Sequence, residues 1–156
     1  MARTSVASST SRLVADRVGE TSCVFLAGLH RAERNIAERL TRLANGTLPW
    51  PWIDPDKALS WVEKHIGLAL AESQVAAVRL ALMSKVTVMT GGPGVGKTTI
   101  VKAILRILAA KGTEILLCAP TGRAAKRMTE ATGLEAKTIH RLLEVDPKGG
   151  GFKRGD

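Results

Sequence analysis

From Phe25 onward apolar positions recur at steps of three and four: Phe25, Leu29, Ala32, Ile36, Leu40 and Leu43, with Arg and Glu between them. That period predicts an amphipathic helix. "NGT" ends it, and "LPWPWIDPD" breaks the chain. Asp54 or Asp56 then caps a short helix that runs through Ile66. Ser73 is placed to cap the next, "ESQVAAVRLALM", with Val75, Val78 and Leu82 on its apolar face. After it the period shifts. "KVTVMT" is short and β-branched and predicts a buried strand. A glycine-rich loop follows, then a helix from "TTIVKAILRILAA" with Ile100, Val101, Ile104, Leu105 and Leu108 on one side. "EILLCA" predicts a second strand, "GRAAKRMTEAT" a helix and "AKTIHRLLEV" a further short helix. The tail "DPKGGGFKRGD" is turn-forming and basic. Strand, helix, strand, helix implies parallel pairing through crossovers, hence an α/β fold with an all-helical piece in front.

Composition narrows this picture only at the edges. A chain of 156 residues holds one domain of ordinary size. Aromatic residues make up only 3%, so the core must be Leu, Val, Ile and Ala. The formal net charge of +9 favours a polyanionic partner, although the basic residues are spread along the chain. Cys23 and Cys118 have apolar flanks and no metal-ligand spacing, which predicts buried, reduced thiols and a cytoplasmic protein. No apolar run approaches a membrane span. Residues 1–24 are Ser- and Arg-rich, but Asp16 and Glu20 argue against a transit peptide, and the segment reads as a poorly ordered end.

The chemistry sits in "TGGPGVGKTT". Gly91 to Thr98 fits G-x-x-x-x-G-K-[ST], between a predicted strand and a predicted helix, where a phosphate-binding loop must lie. Triphosphate oxygens have to approach backbone N–H groups that a β-carbon would shield, so Gly91, Gly92, Pro93, Gly94, Val95 and Gly96 make the cradle. Lys97 can reach the β- and γ-phosphates, the Thr98 hydroxyl can ligate Mg²⁺, and Thr99 can support the α-phosphate. ATP and Mg²⁺ are therefore the expected cofactors, with Lys97 and Thr98 the catalytic pair in this chain.

Such a loop does not name a reaction, since kinases, switches, transporters and motors all carry one. The flanks add more. The amide of Gln74 could read the N6 and N7 of adenine, or simply face solvent on its helix. "APTGRAAKRM" ends a strand at Pro120, and Thr121 and Gly122 open a helix whose N–H groups suit an anion. Arg123, Lys126 and Arg127 share one face of that helix, either as a solvated surface or as a phosphate contact. "TIHRLL" sets Thr138, His140 and Arg141 at another helix start. Trp50, Trp52 and Trp61 lie in and beside a Pro-rich linker, where packing between subregions is favoured over a base-stacking platform.

Four ordered segments resemble the RecD-like helicases of superfamily 1, bacterial ATP-dependent 5′→3′ DNA helicases: "ESQVAAV" like the Q motif, "GGPGVGKTT" like motif I, "APTGRAAKRM" like motif Ia and "TIHRLL" like motif Ib. The resemblance implies a partial RecA-like P-loop domain, with ATP on the loop and single-stranded DNA on motifs Ia and Ib. It makes Gln74 an adenine contact and Pro120, Thr121, Gly122, Arg123, Lys126, Thr138 and His140 DNA contacts. It implies a division into residues 1–24, a helical segment 25–66 that ends the family's N-terminal region, and 67–156 as the first part of the motor domain. The family also needs an Asp-Glu pair on a later strand and arginine fingers from a second domain. Neither is found here, since Asp146 precedes Pro147 and three glycines and reads as a loop residue. The resemblance thus implies a truncated piece of a helicase, inactive alone, with uncovered sheet edges that predict poor solubility. Two other readings stay open: a non-catalytic nucleotide- and DNA-binding module, and another P-loop enzyme such as a small-molecule kinase.

Overall fold

The computed structural model describes residues 12–146 and 151–154. The chain divides after Thr47 into two compact units.

In the first, β1 (Leu13–Val18) and β2 (Thr21–Leu26) form an antiparallel hairpin, with Leu13 opposite Leu26 and Val18 opposite Thr21. The expected poorly ordered end is therefore corrected over residues 13–24; residues 1–11 lie outside the described residues. Phe25 belongs to β2, and the predicted helix begins two residues later, as α1 (Ala27–Ala44). Opposed residues share a face, which brings Val14, Phe25, Asp16 and Cys23 together. The first turn of α1 folds onto that face: Phe25 and His30 lie ring to ring at 5.3 Å, and His30 Nε2 reaches Asp16 Oδ2 at 2.7 Å. The hydrogen bond from His30, with the Arg17 N–H and the Arg34 charge, holds the Asp16 carboxyl below its usual range. The apolar stripe of α1 is as regular as expected, yet none of its residues is buried.

In the second unit, α2 (Pro55–Ile66), α3 (Glu72–Met83) and α4 (Lys97–Ala110) enclose the core. Asp54 caps α2, accepting from the Asp56 and Lys57 N–H groups. The cap of α3 is Ala71 rather than the expected Ser73. Val62 and Val78 are fully buried, each contributing about 1.5–3 kcal/mol by its removal from water. Leu59, Leu82, Ile100, Ala103 and Ile107 complete the contact. Ala103 and Ile107 lie off the expected apolar face of α4, which is buried over a wider arc because α2 and α3 both pack against it. Since α2 shares this core, the expected division at 66/67 falls inside a packed unit. Arg79 of α3 pairs with Asp56 of α2 at 2.6 Å, which lowers the carboxyl's pKa and raises the guanidinium's.

The sheet of this unit is small. β3 (Leu117–Ala119) pairs in parallel with β4 (Ala136–Thr138), and α5 (Gly122–Thr132) is the crossover between them. The parallel α/β arrangement is as expected, but two elements differ. Residues 85–90, expected as a strand, carry no ladder hydrogen bonds among the described residues. An apolar β-branched run becomes a strand only beside a partner that takes its N–H and C=O groups, and β3 takes β4 instead. Residues 136–138, expected to begin a helix, are that partner. The helix, α6, is confined to Ile139–Leu143. Val145 then pairs with Phe152 in an isolated antiparallel bridge; the remainder of the basic tail, 147–150 and 155–156, lies outside the described residues. The cysteines are free, but Cys118 is exposed and Cys23 half-buried. The expectation of buried thiols fails at Cys118 because alternate residues of a strand face opposite sides, and buried Ala119 takes the inner one.

Candidate nucleotide site and nucleic-acid interface

The loop before α4 has the backbone its glycines predict. Gly94 and Gly96 have φ near +79° and +78°, and Gly91 has φ +157°. Gly96 is the N-cap of α4, so no side chain covers the start of this helix, whereas Asp54, Thr121 and Thr138 cap theirs. The N–H groups of Thr99 and Ile100 already turn back to the Gly96 carbonyl. Those of Lys97 and Thr98 make no bond among the described residues, so the positive end of α4 carries two free donors. Lys97 Nζ donates to the carbonyls of Gly91 and Gly92, both at 2.5 Å. It thereby folds over the loop, with Thr98 exposed beside it. A β-carbon on Gly92 or Gly94 would meet nothing within 4 Å, which leaves an open, side-chain-free approach to the backbone. This is the space a polyphosphate needs, and the donor set of N–H groups, one ammonium and one hydroxyl suits it.

Gln74 lies at the same place. It sits in the first turn of α3, where its Oε1 accepts from the Ala71 N–H at 3.0 Å. Its Nε2 lies directly against Gly96, closer than any β-carbon there would tolerate. Gln74 is thus half-buried against the loop and not a solvent-facing helical residue. Its Nε2 remains a donor for an acceptor beside the loop. If that acceptor is the purine, Gln74→Ala loses one hydrogen bond of about 0.5–1.5 kcal/mol. The ATP-over-GTP preference should then narrow up to roughly tenfold. A competition titration with the two nucleotides tests it, and an unchanged ratio would return Gln74 to a purely structural role.

The second group of residues is built on β3 and β4. Their register pairs Ala119 with Thr138, so Pro120–Thr121 and Thr138 leave adjacent strand ends on the same side. Thr121 Oγ1 accepts from the Ala124 N–H and Thr138 Oγ1 from the Arg141 N–H, each at 3.2 Å. Both hydroxyl protons therefore remain to donate outward. Gly122, Arg123, Lys126 and Arg127 are exposed on α5, with no acidic partner within 4 Å among the described residues. His140 is exposed and stands 5.9 Å from the Phe152 ring. Phe152 carries no periodic or motif signal in the chain; the fold-back that sets it beside His140 rests on the Val145–Phe152 bridge and the Arg154–Glu144 pair at 2.9 Å. The tryptophans part company. Trp50 packs on the core and donates to the Leu82 carbonyl at 3.1 Å, as expected of a packing residue. Trp52 and Trp61 remain exposed to different degrees.

Among the described residues no helix is long and apolar enough to cross a membrane, and no cluster of three or more His, Cys, Asp or Glu could hold a metal. A family model described as "AAA domain" matches residues 74–156, a span that begins at Gln74 and takes in the P-loop, α5 and α6. Among curated proteins, the chain is similar to the ATP-dependent RecD2 DNA helicase of Deinococcus radiodurans, 37% identical over 131 residues, covering 81% of this chain and 17% of the relative. It is also similar to the RecBCD enzyme subunit RecD of Mycolicibacterium smegmatis, 42% identical over 116 residues, covering 60% and 21%. A third relative, the ATP-dependent DNA helicase dda of Enterobacteria phage T4, is 42% identical over 60 residues, covering 38% and 14%. The chain spans about a fifth or less of the length of each of these relatives. With more than half of its residues under one family model, and a P-loop and helix starts that agree with it, the chain belongs to the AAA domain family and is RecD-like within it.

Proposed function

We propose that this chain is the part of an ATP-dependent 5′→3′ DNA helicase that holds ATP and grips the first stretch of single-stranded DNA, working in the cytoplasm. The observation that carries the reading is the Ala119–Thr138 register, which sets two helix starts side by side next to an uncovered basic face. A small-molecule kinase has no use for that surface. The motor part belongs to the second unit, which begins at Leu48. Gly91 to Gly96, the N–H groups of Lys97 and Thr98, and the Lys97 ammonium would hold the phosphates, with Thr99 beside them and Gln74 at the base. Mg²⁺ would take one ligand from this chain, the Thr98 hydroxyl, and the others from phosphate and water. Bound there, it would neutralise the charge that develops on the phosphates. Pro120, Thr121, Gly122, Arg123 and Lys126 would meet one backbone phosphate, and Thr138 and His140 its neighbour.

Backbone contacts release counterions and carry no sequence information. Arg123→Ala with Lys126→Ala should therefore weaken binding of every single-stranded sequence alike. The slope of log affinity against log salt should fall by about 0.7, the value for the one single-strand phosphate that the variant no longer neutralises. ATP affinity without DNA should not change. A salt titration of the chain and its double variant measures this. Equal slopes would leave the basic face merely solvated, and a loss confined to one sequence would mean base readout.

A further inference from the structure

Residues 67–71 connect α2 to α3 and lead directly to Gln74, and one residue of α2 takes most of their N–H groups. The Glu63 carbonyl accepts from Gly67 and Leu68, and Glu63 Oε1 accepts from the Leu70 N–H at 2.8 Å. Leu70 is fixed from a second side, since its side chain is buried in the core with Val62 and Val78. The next N–H, that of Ala71, donates to Gln74 Oε1. Glu63 is half-buried, and no cationic side chain lies within 4 Å of it among the described residues. Its carboxylate is therefore committed to a backbone N–H and not to an ion pair.

An amide side chain has a donor end and an acceptor end, and the end that faces a ligand decides what it can read. In Gln74 a single contact makes that choice. The Ala71 N–H takes the carbonyl end, which leaves Nε2 against Gly96. The Ala71 N–H lies in the peptide plane that begins at the Leu70 Cα. Holding Leu70 by its N–H and its side chain thus holds the direction of that donor. We propose that Glu63 is a positioning residue for the purine: through Leu70 and Ala71 it keeps the Gln74 amide turned with Nε2 over the nucleotide loop. It acts through Gln74 and not by contact with the base. The inference rests on the reading of Gln74 as the base contact and adds the residue that aims it. A clamp that merely ties α3 to α2 would change stability and would not distinguish one ligand of the loop from another.

The test compares ATP with inorganic tripolyphosphate, which offers the loop three phosphates and gives Gln74 no base. Both are titrated into the chain carrying Glu63→Met, which keeps the length of the side chain but has no oxygen to accept from Leu70. ATP affinity should fall by roughly two- to tenfold, the worth of one hydrogen bond, and tripolyphosphate affinity should not change. Glu63→Gln, whose amide oxygen can still accept, should restore ATP affinity. In a Gln74→Ala background, Glu63→Met should leave the ratio of the two affinities where Gln74→Ala alone puts it. Glu63→Asp, whose carboxylate is one methylene too short, should show the same loss and carries the test if Glu63→Met does not fold. An equal fall for both ligands, or an unchanged ratio while Gln74→Ala lowers it, would overturn this role and leave Gln74 at the base. An unchanged ratio in Gln74→Ala itself would overturn both.

Discussion

Lys97→Ala is expected to cut ATP affinity by roughly 10- to 100-fold, the loss of a hydrogen bond to a charged group worth about 1.5–3 kcal/mol. In a longer protein carrying this segment, hydrolysis should fall further, by about 10²–10³, as when one preorganised charged donor is removed from a reacting centre. The fold should be unaffected. Lys97 contributes no side chain to the core of Ile53, Val62, Val78 and Ile100, and its bonds to the Gly91 and Gly92 carbonyls link only neighbours within one loop. Those same bonds explain why Lys97→Arg should not rescue. The ammonium fits between two carbonyls as a compact charge, and a planar guanidinium is larger and differently directed. Isothermal titration with ATP, together with a thermal melt, measures both effects. Near-normal affinity in Lys97→Ala would overturn the nucleotide reading of the loop.

The loop is legible in the sequence because its chemistry is written in residue types that serve few other purposes at that spacing. Gly94 and Gly96 adopt left-handed conformations that other residues resist, and a lysine and two hydroxyls follow them directly. Gln74 is not legible in the same way. A glutamine in the first turn of a helix could equally face water, and only the packing of α3 against α4 brings its amide to Gly96. The hairpin of β1 and β2 escapes the hydrophobic pattern for a related reason. Its inward face includes Asp16, which is satisfied by His30 fourteen residues away, so the alternation looks polar on both sides. The local signal that points to it is the two-residue Gly19–Glu20 loop between Val18 and Thr21. Residues 85–90 show the opposite error, since β-branching reports that a run can be buried and not that a partner strand is present. Trp50 and Trp52 share one linker, yet only the fold separates the packed ring from the exposed one.

Gly96→Ala should be the most damaging single methyl in the nucleotide site, and the way its effect depends on Gln74 tests how that site is built. Two costs arise. Alanine at φ +78° is strained by about 1–2 kcal/mol. The new β-carbon would also collide with Gln74 Nε2, the far end of a flexible side chain. The amide can swing away, but it then leaves its seat over the loop and its bond to the Ala71 N–H. Stability should therefore drop by the backbone strain, about 1–2 kcal/mol, together with the lost bond to the Ala71 N–H, about 0.5–1.5 kcal/mol. Nucleotide affinity should drop by more, because the cradle is distorted at the same time as the amide is pushed away from the base. In a Gln74→Ala background the collision has no partner, and Gly96→Ala should cost less in affinity than it does in the unaltered protein. The difference is the coupling energy of the pair, expected at about 0.5–3 kcal/mol for residues that touch directly. ATP titrations of the two single variants and the double variant close the cycle, with thermal melts separating strain from binding. Strict additivity would mean that Gln74 does not bear on Gly96 when nucleotide is bound, and the adenine role assigned to it would fall even if the P-loop itself stood.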